Sequence, residues 1–176
     1  LAHASDVLCD APIFIDDSSG LSVAEMKAKI RQLNQDPKRD KIGLVVVDYL
    51  QLMTTGKRTE NRVQEISEIT RNLKITAKEL NVPIIVLSQL SRSVEKNGSS
   101  SRRPQLSDLR DSGSIEQDAD AVLFLYREAY YNRQNSEDNQ ADENVAECIV
   151  AKNRHGETAT VQLGWDGAHT RFLDVD

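Results

Sequence analysis

The chain has 176 residues, 39% of them hydrophobic and 28% charged, a balance that fits one globular domain with a core of its own. Its 22 Lys and Arg stand against 28 Asp and Glu, a formal charge of -6, which excludes a surface that attracts nucleic acid everywhere but leaves room for a local basic patch. Cys9 and Cys148 are far apart and His3, His155 and His169 are scattered, so neither a disulfide framework nor a zinc site is signalled. No apolar run reaches the 18 or so residues that cross a bilayer, and no signal peptide opens the chain, so a reducing cytosol is the expected setting.

In chain order, "LAHASDVLCDAPIFIDD" begins without Met and moves directly into a strand-like run, as a piece of a longer polypeptide would. "PIFID" (12–16) reads as a short buried strand, and "SSGLS" as a turn. Ser22 then suits the N-cap of a helix reaching about Asn34, with Glu25 as its capping-box partner. "GLVVVD" (43–48) is apolar without alternation, the pattern of a strand buried on both faces of a parallel sheet. From Asn61 to Leu80 the residues Val63, Ile66, Ile69, Leu73, Ala77 and Leu80 recur three or four apart, which predicts a long amphipathic helix. "VPIIVLSQ" (82–89) and "ADAVLFLYR" (119–127) read as further buried strands. Segments 92–105 and 132–144 are polar and are expected to be mobile loops. The tail predicts an antiparallel hairpin, "CIVAK" and "ATVQLGW" around the turn "NRHGE", with "TRFLDV" as a last strand.

Alternating strands and helices predict an open α/β sheet, in which ligands bind beyond the carboxyl ends of the strands. Asp48 and Gln89 each stand at such an end. A carboxylate closing an apolar strand is the Walker B arrangement, which holds Mg²⁺ against nucleotide phosphates; a loop or cap hydrogen bond is the competing reading. Gln89 suits either the orientation of an attacking water or the anchoring of a loop. Lys152 and Arg154, two apart, share one face of a strand and suit a phosphate, or else a solvated hairpin tip. Arg110, Asp111 and Gly113 can follow a nucleic-acid backbone, with Arg92, Arg102 and Arg103 adding charge, or belong to an ordinary capped helix. No aromatic residue occurs between 88 and 118, so base stacking is not indicated there, and no Gly-rich loop ending in Gly-Lys-Ser/Thr occurs in the chain.

Taken together, "LVVVDYLQLM", "LNVPIIVLSQLSR", "RRPQLSDLRDSGSIEQDADAVLFLYR" and "IVAKNRHG" closely resemble, in order and spacing, the C-terminal ATPase domain of bacterial DnaB-type replicative DNA helicases. The resemblance runs from "APIFIDDSSGLS" to "TRF", and "SDLRDSGSIEQDAD" is its most distinctive stretch. It implies a RecA-like fold, a mostly parallel sheet flanked by helices and ending in an antiparallel hairpin. It further implies a cytoplasmic, ATP- and Mg²⁺-dependent homo-hexamer that unwinds DNA 5′-to-3′ around one strand and meets primase and a helicase loader through other regions. On it, Asp48 matches the Walker B acid that positions the metal, and Gln89 matches the glutamine coupling nucleotide state to DNA. Arg154 matches the arginine finger offered to a neighbour's nucleotide, with Lys152 as companion, while Arg110, Asp111 and Gly113 match the loop along single-stranded DNA.

The family's Walker A loop and catalytic glutamate match nothing in these residues. The isolated chain is therefore expected to be inactive, and an open strand edge beside 83–88 is expected to favour self-association. A non-catalytic RecA-like module that binds DNA or a partner is the alternative. A recombinase or clock-type ATPase of the same fold is disfavoured by the "SDLRDSGSIEQDAD" stretch.

Overall fold

The computed structural model describes residues 8–9, 11–56, 61–90, 103–132 and 142–175; of the side chains at 110–112 and 131–132 nothing is described. Helix α1 (Val23–Leu33) starts where the sequence predicts, with Gly20 at φ +70 shaping the turn before it. Ser22 and Glu25 close a reciprocal capping box, and Asn34 is the C-cap. Strand β1 (Val45–Val47) pairs in parallel with β2 (Ile84–Val86), in the register Val45↔Ile84 to Val47↔Val86. Between them lie a 3₁₀ turn, Leu50–Leu52, and helix α2 (Arg62–Leu80), the crossover that parallel pairing requires. Asn61 caps α2 by accepting from the Val63 amide at 2.9 Å.

Val23, Met26 and Ile30 of α1, Leu50 and Met53, and Ile66, Ile69 and Leu73 of α2 form one core against Val45, Val47, Ile84 and Val86. Both helices therefore cover the same face of the parallel pair. The other face carries Val46 and Ile85, 56% and 51% exposed, so burial on both faces, expected from the unbroken apolar run, is not found among the described residues. "PIFID" also departs from expectation. It is irregular and exposed, because it finds no ladder partner among the described strands.

A second helical stretch follows, the 3₁₀ segment Leu106–Ser112 continuing into α3 (Gly113–Asp118). Strand β3 (Ala121–Tyr126) then joins β4 (Val145–Asn153), β5 (Ala159–Asp166) and β6 (Arg171–Leu173) in an antiparallel sheet of order β3-β4-β5-β6. A short helix, α4 (Glu128–Asn132), follows β3. The described strands are thus two parallel and four antiparallel, not a mostly parallel sheet. Connection length explains the β4-β5 and β5-β6 pairs, since turns of a few residues at 154–158 and 167–170 can only reverse the chain. Leu109, Val122 and Phe124 form the core under this sheet, and Ile115 packs against both cores. The expected loops at 92–105 and 132–144 lie outside the described residues except for 103–105, 132 and 142–144.

Candidate functional site

Parallel register decides where β1 and β2 deliver the chain. With Val47 opposite Val86, Asp48 and the Leu87–Gln89 segment leave from the same, carboxyl end of the pair. Leu87 donates to the Val47 carbonyl at 2.9 Å and Leu50 donates to the Leu87 carbonyl at 2.8 Å, so the two exits remain stitched together beyond the ladder. Gln51 completes the stitch. Its amide nitrogen donates to Ser88 Oγ at 3.1 Å and to the Gln89 carbonyl at 3.3 Å, and its amide oxygen accepts from the Gln89 amide at 3.4 Å.

The sequence reading missed Gln51. The available signal was a lone polar residue inside the apolar run "YLQLM". Arg62, at the start of α2, donates to the Gln51 carbonyl at 2.7 Å and pairs with Glu65. An open cleft of about 330 Å³ lies here, lined by Gln51, Arg62, Ser88, Gln89, Asp108 and Ile115 among others.

The Asp48 carboxylate is exposed and meets no hydrogen-bond or ionic partner among the described residues. That fits a magnesium ligand, since Mg²⁺ takes one or two carboxylates and fills its other positions with water and phosphate oxygen. No group of three His, Cys, Asp or Glu able to hold a metal occurs among the described residues.

Lys152 and Arg154 lie elsewhere. A register shift between Val122 and Leu123 places Lys152, rather than Ala151, opposite the inward-facing Val122. Lys152 Nζ then donates to the Glu116 carbonyl at 2.5 Å. Arg154, in the turn after β4 rather than on the strand, donates through Nη2 to the Gln117 carbonyl at 3.1 Å. Its backbone amide donates to the Asp120 carbonyl at 2.8 Å, and its Nη1 stands 3.4 Å from Asp120 Oδ1. Both cations therefore hold the last carbonyls of α3, where acceptors are left over at a helix end.

Asp120 is itself held from α2 by Lys74, whose ammonium bonds Oδ2. That bond keeps the Asp120 carboxyl below the usual range. One turn earlier, the buried Thr70 donates to Asp118 Oδ2 at 2.7 Å. Arg62 and Lys74 are twelve residues apart on one helix, about 18 Å along its axis. Within one copy, the end of the sheet holding Asp48 and Gln89 and the cation pair are thus held apart.

Segment 106–118 connects the two places. Its early residues Asp108, Leu109 and Ile115 line the cleft, and its last carbonyls carry Lys152 and Arg154. Gln105 and Asp108 cap its start. Arg110 and Asp111 sit in its 3₁₀ part, their side chains outside the described set, and Gly113 opens α3 at φ -52 with open space where a Cβ would stand. This stretch is helical, not a loop. Arg103, counted as free charge from the sequence, is instead committed to Glu147 through two bonds of 2.6 and 2.7 Å; Arg92 and Arg102 lie outside the described residues.

A family model described as the DnaB-like helicase C terminal domain matches residues 1–174. The probable replicative DNA helicase of Trieres chinensis is 52% identical over 168 residues, covering 95% of this chain and 36% of that protein. Replicative DNA helicase DnaB of Geobacillus stearothermophilus is 46% identical over 177 residues, covering 100% and 37%. Among solved structures, an ATPase domain superposes with a TM-score of 0.86 at 40% identity, covering 99% of this chain and 59% of its own. A DnaB-like replicative helicase, described with its interactions with primase, gives 0.85 at 40% identity, covering 100% and 41%. The chain spans about a third of the length of the curated relatives it matches. A match over nearly every residue, with identity near one half, leaves one conclusion: this chain belongs to the DnaB-like helicase C-terminal domain family.

Proposed function

We propose that this chain forms the downstream part of the motor of a hexameric, ATP-driven replicative helicase that unwinds DNA 5′-to-3′. The observation that carries this reading is the shared carboxyl end of β1 and β2, which carries Asp48, without a partner among the described residues, and the Gln51-clamped Gln89, which lines an open cleft. In this reading Asp48 holds Mg²⁺ and Gln89 senses the terminal phosphate. Bound there, the metal would draw charge from the phosphate oxygens. Lys152 and Arg154 reach the nucleotide of an adjacent copy, because within their own copy they are tied to the end of α3 and to Asp120, which Lys74 fastens about 18 Å along α2 from Arg62. Arg supplies a bidentate fork for phosphate and Lys a point charge.

Arg110, Asp111 and Gly113 are proposed to follow single-stranded DNA through its backbone, which suits a motor indifferent to sequence. Their helical stretch ends at the carbonyls that hold the two cations, so a cation drawn toward phosphate releases the helix that carries the DNA contacts. Contact with primase and a loader is assigned to regions outside this chain or to its surface. The two sheets are read as portions of one RecA-like sheet. Their outward rows, Val46 and Ile85 on one and Leu123 and Leu125 on the other, are aliphatic and exposed, as suits faces covered by further polypeptide.

Arg154→Ala in the full-length protein is expected to lower ATP turnover to a small, measurable residue while nucleotide binding stays largely intact. Turnover at the wild-type rate would remove the Arg154 assignment. A binding role without catalysis is favoured for the 176 residues alone by their lack of a Gly-Lys-Ser/Thr phosphate loop.

A further inference from the structure

We infer that Asp120, fixed by Lys74, is a positioning residue that holds the Arg154 guanidinium ready for an anion from an adjacent copy. The inference rests on the reading of Arg154 given above. Arg154 sits in a hairpin turn with its side chain 45% exposed, where a free arginine would spread over many rotamers. Instead, two acceptors meet its guanidinium, the Gln117 carbonyl at Nη2 and Asp120 Oδ1 at Nη1, while the Asp120 carbonyl holds its backbone amide.

The two oxygens of Asp120 are divided between two elements. Lys74 of α2 takes Oδ2, which leaves only Oδ1, at 3.4 Å, for Arg154. This is a loose hold, longer than the 2.7–2.9 Å of a full charge-assisted bond. It sets direction without saturating the guanidinium. Lys74 and Arg154 share the one carboxylate of Asp120, so an incoming phosphate competes with Asp120 for Arg154 without having to displace a tight ion pair.

Asp120 is anchored for this task from both sides. Lys74 ties it to α2, and its carbonyl receives the Arg154 amide at 2.8 Å, so turn and carboxylate move as one. The carboxylate is thereby placed in register with α3, whose last carbonyls hold the same guanidinium and the neighbouring ammonium. A purely structural Asp120 would tie α2 to the turn and have no bearing on turnover beyond stability.

The test is a double-substitution cycle of ATP turnover in the full-length protein, with Asp120→Asn, Arg154→Ala and both together. Asp120→Asn is expected to lower kcat up to about fivefold with KM for ATP unchanged, the size expected for losing the charge of a half-exposed ion pair. It is expected to add nothing to Arg154→Ala. Asp120→Ser, which removes the carboxylate without supplying an amide, should give the same two results. A wild-type kcat in either Asp120 variant, or losses that multiply in the double variant, would overturn the inference. If Arg154→Ala itself keeps wild-type turnover, the reading of Arg154 fails and the inference falls with it. If Arg154→Ala is strongly impaired and Asp120→Asn is unimpaired, only the inference falls.

Discussion

Glu147 accepts two hydrogen bonds from the Arg103 guanidinium, and they hold its carboxyl below the usual range against an opposing push from burial. A carboxylate depressed in this way stabilises the fold fully above its unfolded value of about 4.3 and loses that contribution as pH falls through the lower folded value. Arg103 is more than half exposed, so the pair contributes at most about 1 kcal/mol. Thermal melts of Glu147→Gln should therefore fall below wild type at pH 7, and the gap should narrow as pH falls below about 4.3. A gap that stays constant across that range would show that the pair adds no pH-linked stability. The same geometry takes Arg103 out of the charge available to a nucleic acid.

At the scale of elements, α2 links the parts. Ile66, Ile69 and Leu73 pack into the core under the parallel pair, Arg62 touches the sheet end, and Thr70 and Lys74 fasten the α3 region. Ile69 is 1% exposed, so Ile69→Ala should cost about 2–5 kcal/mol, read from denaturant unfolding. Removing the N-cap with Asn61→Ala should cost about 1 kcal/mol, because the Val63 amide loses its acceptor. An Asn61→Ala loss as large as that of Ile69→Ala would mean that the helix start, rather than its buried face, governs stability.

At the scale of the whole molecule, the separation of Asp48 from the cation pair predicts a site completed between copies. Asp48→Asn and Arg154→Ala subunits of the full-length protein should each turn over little ATP alone. Mixed, they should recover part of the wild-type rate, since some junctions then pair an intact Asp48 with an intact Arg154. No recovery in mixed assemblies that still form rings would rule out completion between copies.

Local chemistry made much of this legible in the sequence. Ser22 with Glu25 marked the start of α1, the spacing of Ile66, Ile69 and Leu73 marked α2, and "NRHGE" marked the hairpin turn, because caps, amphipathic faces and reversals are written in neighbouring residues. "PIFID" misled for the complementary reason: apolar character favours a strand, but a strand exists only where a partner edge lies beside it. The parallel pairing of β1 with β2, the register that turns Lys152 inward, and the clamp of Gln51 on Gln89 were decided by contacts between residues 30 to 40 positions apart. So was the role inferred for Asp120, which sits in the sequence among several similar acids. Only packing of α2, α3 and the hairpin turn gives it Lys74 on one side and Arg154 on the other, and no pattern of neighbours along the chain encodes that meeting.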